Sequence, residues 1–167
     1  TPSVRHFTFR RTDGEMLPFV PGQFIMIHFE IDGETWQRSY SISSRANLGT
    51  TVEISVSYVE GGRGTRFLWG LETGSTLTAS GPYGRFVLRN EQPKRYVLVG
   101  TGTGVAPYRT MLNELSGRLR DEDLSVVLCL GVREPRELLY GEEFADFADT
   151  HDAFEFRACL SREQPAD

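Results

Sequence analysis

The chain has 167 residues and a formal net charge of −5, with 39% hydrophobic and 25% charged residues. This is the composition of one globular domain or two small ones, and its acidity argues against a general nucleic-acid binder. No apolar run approaches the roughly 20 residues of a membrane span. Cys129 and Cys159 lie in apolar strand-like runs without metal-ligand spacing, so both are expected to be buried reduced thiols of a cytoplasmic protein that holds no metal.

As far as Val87 the pattern is all-β. Residues 5–9, 23–29, 38–42, 51–58 and 76–79 read as strands. In the fourth, Val52, Ile54, Val56 and Tyr58 alternate with Glu53, Ser55 and Ser57, giving one apolar face. Asp32-Gly33, Gly61-Gly62 and Gly81-Pro82 punctuate the runs. Several short strands separated by turn signals predict a closed barrel, with one short helix over residues 65–70. Residues 89–95 are polar, contain Pro93 and form the expected linker, dividing a unit of residues 1–92 from one of residues 93–167. Beyond it, strands at 96–99, 124–130 and 153–160 alternate with helices at 107–119 and 141–148. That alternation predicts a parallel α/β sheet. Three strands and two helices leave an unpaired sheet edge, so a segment beyond Asp167 is expected to complete the second unit.

The stretch between the strand at 96–99 and the next helix is Gly100-Thr101-Gly102-Thr103-Gly104-Val105-Ala106-Pro107. Its glycines allow close approach of a ligand, and the helix N-terminus beyond suits a diphosphate. The dinucleotide fingerprint is not fully met, because its third small residue falls on Val105 or on Pro107. A tight strand–helix turn without a ligand is the other reading of this loop taken alone.

Four further stretches carry chemistry. In Arg38-Ser39-Tyr40-Ser41, the arginine can clamp a phosphate, the tyrosine offers a flat face and the serine hydroxyl can meet a ring nitrogen. Together they suit a flavin, although for the four residues taken alone an exposed arginine beside a strand tyrosine is the better reading. Gly61-Gly62-Arg63-Gly64-Thr65 precedes the short helix, where Thr65 is placed to cap it beside a phosphate; a plain turn is the alternative. Gly81-Pro82-Tyr83-Gly84-Arg85-Phe86 reads as a structural turn. Arg133 and Arg136 follow the second parallel strand, and Ser161-Arg162 the third, at the strand ends where open sheets bind ligands. Serine and arginine there suit the extra 2′-phosphate of NADP, whereas an acidic residue would suit NAD; solvated surface arginines are the alternative, and the favoured reading for Arg136.

In this order and spacing, the chain resembles the ferredoxin–NADP reductase family. Arg38-Ser39-Tyr40-Ser41 is similar to its R-x-Y-S flavin motif, and Gly62-Arg63-Gly64-Thr65 to its second flavin phosphate loop. Gly81 to Phe86 resembles its G-P-x-G-x-F turn. The Gly100–Pro107 stretch resembles its nicotinamide-nucleotide loop, with Thr103 and Gly104 as candidate contacts. Ser161-Arg162-Glu163 resembles its 2′-phosphate site. The resemblance implies a six-stranded antiparallel barrel holding FAD, then an NADP domain. It implies hydride transfer between NADPH and the flavin N5, assisted by Ser41 with Tyr40, and single electrons passed to or from ferredoxin or flavodoxin. A monomer is expected. Other members are reductase components of oxygenases, and an electron-transfer subunit without its own nucleotide reaction is a further alternative. No cysteine cluster with iron–sulfur spacing is present in these 167 residues.

Overall fold

A computed structural model of the chain describes residues 3–45, 49–89, 91 and 93–162. Asn90 and Gln92 of the expected linker, and Glu163, lie outside the described residues. The first half is antiparallel. β1 (Val4–Arg10) pairs with β4 (Thr51–Ser57), and β2 (Phe24–Ile31) lies between β3 (Glu34–Ser41) and β5 (Thr78–Tyr83). Side chains alternate along a strand, so Ile25, Ile27 and Phe29 of β2 and Val52, Ile54 and Val56 of β4 enter one core. Leu68 of α1 (Arg63–Trp69) joins that core.

The expected six-stranded closed barrel is corrected to five antiparallel strands in two sheets, with no closed ring among the described residues. The join is a corner after β3. The N–H of Ile42 donates to Gln23 O (3.0 Å), but the next, of Ser43, donates to Glu53 O (2.8 Å). The chain thus changes partner within one residue, leaving a single bridge from Ile42 to Ile54 between the sheets.

The second half is a parallel sheet in the order β6 (Arg95–Thr101), β7 (Ser125–Val132), β8 (Phe154–Leu160). α2 (Ala106–Asp121) buries Tyr108, Met111, Leu112 and Leu115, which recur at helical spacing. With Phe144 of α3 (Gly141–Asp149), they pack against Val126, Leu128 and Leu130 of β7. The other face of the sheet is open: Val97 and Val99 are each 63% exposed. This corrects the expectation for the cysteines. Strand alternation puts Cys129 on the face opposite Leu128 and Leu130, so it is half-buried, and Cys159 is exposed; both thiols are free. Among the described residues, no helix is long and apolar enough to cross a membrane.

The two halves meet at α2. The N–H of Gly22 donates to the buried Thr110 Oγ (2.8 Å). A Cβ at Gly22 would lie 1.8 Å from Phe86 O, and φ is +96°, so only glycine fits this junction.

Candidate functional site

The stretch Arg38 to Ser41 is the second half of β3, held in register opposite Ile27 to Phe24 of β2. Period-2 alternation puts Trp36, Arg38 and Tyr40 on one face. The N-terminal turn of α1 abuts it. A Cβ at Gly64 would come within 2.6 Å of Tyr40 Oη and 3.2 Å of Arg38 Cγ, so the glycine is what lets loop and strand close together. Arg63 brings a second guanidinium to the same place. It lies 4.0 Å from the Trp36 ring centre, and that of Arg38 lies 5.4 Å from it. Among the described residues neither has a carboxylate partner, whereas Arg66 is forked onto Asp32 at 3.1 Å. The Trp36 indole N–H is buried without a hydrogen-bond partner. Two unneutralised cations on one aromatic platform repel each other and are stabilised by an anion carrying two charged groups. Tyr40 is half-buried, and burial raises its phenol above the ordinary value despite nearby Arg38. Ser41 is half-buried and Ser39 exposed.

Thr65 does not cap α1. The helix is capped by Gly62 without a side-chain bond, and Thr65 sits in its first turn. Its buried hydroxyl instead accepts the Val59 N–H (3.2 Å), because the chain folds back there and Gly62 N–H donates to Val59 O (3.0 Å). Thr65 thus fixes the end of β4 relative to the loop.

The second locus is a cleft of about 620 Å³ between the halves. One wall is Ser57 and Tyr58, just at the end of β4; the other is the carboxyl edge of the sheet, with Thr101, Gly102, Arg133 and Ser161. Of the loop's expected contacts, Gly104 is exposed and Thr103 accepts a long bond from Ser57 Oγ (3.4 Å), so Thr103 meets the antiparallel half directly. The loop is a 3-10 turn over Gly102–Val105 that runs into α2, with Pro107 in its first turn. Ser161 and Arg162 stand beside Arg133 because their N–H groups donate to Val132 O and Arg133 O (both 3.0 Å). Arg133, expected to face a phosphate, is engaged: Glu137 accepts its main-chain N–H and Nε–H (both 3.1 Å) and pairs with Nη2. Arg136 pairs with Glu134 (2.7 Å). The four-residue spacing of Arg133 and Glu137 carried this signal in the sequence.

A polar cluster on α2 and α3 crosses between the halves. Arg109 donates to Glu143 (2.7 Å), Glu53 (2.9 Å) and Ser43 O (2.9 Å), and its guanidinium stacks 4.4 Å from the Tyr140 ring centre. Burial works against its charge, but hydrogen bonds to Glu143 and Glu53 outweigh this and hold its pKa above the ordinary value. Tyr140, at φ +59°, bonds through its hydroxyl to Ser55 of β4 and to His6 of β1.

An antiparallel half bearing paired cations, followed by a parallel sheet with a cleft at its carboxyl edge, is the layout of a flavin- and dinucleotide-binding oxidoreductase. Residues 1–88 match the family described as an oxidoreductase FAD-binding domain, and residues 98–167 that described as an oxidoreductase NAD-binding domain. Ferredoxin–NADP reductase B of Sorangium cellulosum is 32% identical over 166 residues, covering 99% of this chain and 67% of that protein. Reductase component 1 of terephthalate 1,2-dioxygenase from a Comamonas species is 28% identical, covering 96% of this chain and 46% of its own length. A crystal structure of a ferredoxin NADP+ reductase from Neisseria gonorrhoeae with bound FAD and NADP superposes with a TM-score of 0.79 at 25% identity, over 99% of this chain and 65% of that one. The chain belongs to the ferredoxin–NADP reductase family. It spans about half the length of most of the curated relatives it matches.

Proposed function

We propose that the chain is the cofactor-binding part of a ferredoxin–NADP+ reductase, in which a hydride passes from NADPH to FAD and electrons leave singly to ferredoxin or flavodoxin. In this reading residues 1–92 form the flavin unit and residues 93–167 the nucleotide unit. The observation that carries it is the pair of guanidiniums, Arg38 and Arg63, held on Trp36 beside the Gly64 cradle. That donor set fits a diphosphate. FAD, when bound, supplies the conversion between a two-electron hydride and single electrons. Arg38 and Arg63 bind its diphosphate, with Gly62, Gly64 and Thr65 shaping the loop around it. Tyr40 would offer its flat face to the ring and Ser41 its hydroxyl to the reacting edge, with exposed Ser39 just before them in the strand. Thr103 and Gly104 border the nucleotide, and Arg133, Ser161 and Arg162 gather at the strand ends for its 2′-phosphate.

The test is a visible absorption spectrum of the encoded full-length protein, followed by anaerobic addition of NADPH. A yellow protein that NADPH bleaches supports the proposal. A protein that keeps no flavin after incubation with FAD and desalting refutes it. A flavoprotein that NADPH leaves yellow is an electron-transfer subunit without its own nucleotide reaction. The similarity to the terephthalate dioxygenase reductase component favours a second reading, a reductase serving an oxygenase. NADPH oxidation accelerated by an oxygenase component but not by ferredoxin or flavodoxin would select it.

A further inference from the structure

The nucleotide cleft contains a carboxylate where a 2′-phosphate calls for an open cation. β7 ends at Val132 and Arg133 follows at the edge of the sheet. The 3-10 turn Pro135–Glu137 then brings Glu137 back into the cleft wall. Its main chain is fixed by an N–H donated to Glu134 O (2.9 Å). Its carboxylate accepts the main-chain N–H of Arg133 as well as the guanidinium. The Glu137 side chain is 18% exposed against 55% for Arg133, so the carboxylate is the anchored member and the guanidinium the movable one. The hydrogen bond from Arg133 holds the Glu137 carboxyl below its usual range, so it is charged at neutral pH. Glu134 occupies Arg136, so that neighbour is no open substitute.

We infer that Glu137 restrains the cofactor preference of this cleft, weakening nucleotides that carry a 2′-phosphate by holding Arg133 away from the anion, while leaving 2′-hydroxyl nucleotides unaffected. The inference rests on the nucleotide reading above and deepens it. A 2′-phosphate must break an exposed fork to reach the guanidinium. Exposed ion pairs are weak, so the handicap is about two- to fivefold in affinity. Arg162, whose main-chain N–H donates to Arg133 O (3.0 Å), stands beside Arg133 and has no hydrogen bond to Glu137 among the described residues, which leaves it free for the phosphate.

The experiment is calorimetric binding of adenosine 2′,5′-bisphosphate and of adenosine 5′-monophosphate to the full-length protein, to its Glu137→Gln and Glu137→Ala variants, and to Glu137→Gln combined with Arg133→Ala. Glutamine keeps an acceptor for the Arg133 N–H, so the turn is retained; the alanine variant gives a second route to the same comparison. The bisphosphate should tighten about two- to fivefold in both single variants, the monophosphate should not move, and the gain should vanish without Arg133. Both probes tightening equally, an unchanged ratio, or a gain that survives loss of Arg133 would overturn the inference while leaving the nucleotide reading intact. If neither probe binds any of the proteins, the nucleotide reading fails and the inference with it.

Discussion

Replacing Arg109 by methionine tests how the two halves are held together. The side chain is 19% exposed and makes charge-assisted bonds to Glu143, Glu53 and Ser43 O, drawn from α3, β4 and the corner after β3. Methionine keeps most of the packing on Tyr140 but leaves Glu53 and Glu143 facing a site without that cation. Removing one partner of a fully buried pair costs about 3–5 kcal/mol. Here Glu53 and Glu143 are 34% and 22% exposed, and Glu143 keeps Arg45 at 3.2 Å. Solvent screening and that second partner reduce the cost to about 2–3 kcal/mol. For a chain of this length the unfolding entropy is about 0.35 kcal/mol/K, so Tm should fall by about 6–9 °C. Differential scanning calorimetry is the assay. Because the contacts cross between the halves, the single transition should also broaden or split. A double-mutant cycle with Glu53→Gln should recover a coupling of about 1 kcal/mol or more. A fall in Tm of less than about 2 °C, with an unchanged single transition, would refute the claim that Arg109 fastens the halves.

Arg38→Ala and Trp36→Leu should each weaken flavin retention about ten- to a hundredfold, measured by dialysis against free FAD, while Trp36→Phe should keep most of it by preserving the aromatic platform. Undiminished occupancy in Trp36→Leu would show that the platform does not position the arginines. Thr65→Val deletes the acceptor for the Val59 N–H and should cost about 1–2 kcal/mol in stability by thermal melting; no loss would mean that the hydroxyl contributes nothing to the loop. Arg162→Ala in the full-length protein should raise the KM for NADPH at least about tenfold with little change for NADH, and equal effects on both would place Arg162 elsewhere. Thiol labelling of the folded protein should modify Cys159 before Cys129, and equal rates would contradict their difference in exposure.

Most of the element order was legible because it depends on local pattern. β4 showed strict alternation, α2 showed helical spacing, and glycine and proline marked the turns between them. Elements in the structure extend one to four residues past several of the expected bounds, as at β3, which begins at Glu34 rather than Arg38. Its opening residues Glu34 and Thr35 are exposed and carry no apolar alternation to announce the strand. What the sequence hid depends on which surfaces meet. Both cysteines sit in apolar runs, yet which face of a parallel strand is covered depends on where the helices pack, and here both helices lie on the other side. The motif Arg38 to Ser41 was readable as a unit, but Trp36 and Arg63 gain a role only when Gly64 allows the loop to reach β3. Glu137 had a visible signal, four residues after Arg133, although an i,i+4 pair is normally read on a helix and this one closes across a 3-10 turn.

The loop before α1 and the cleft between the halves are linked by the short stretch that ends β4. Thr65 holds the N–H of Val59, the residue before it lines the cleft, and Ser57 reaches Thr103 of the nucleotide loop. Tyr58 is further braced edge-on by Trp69 of α1, at 5.6 Å between ring centres. The loop around α1 and the wall of the second site are thus joined over three consecutive residues, Ser57 to Val59. Arg109 works from the opposite side, tying Glu53 in the same strand to α2 and α3. β4 is thus fastened at both places to the elements that build the two loci, and transfer between cofactors at those loci would need such fixed supports, because reacting atoms a few ångströms apart tolerate little relative motion.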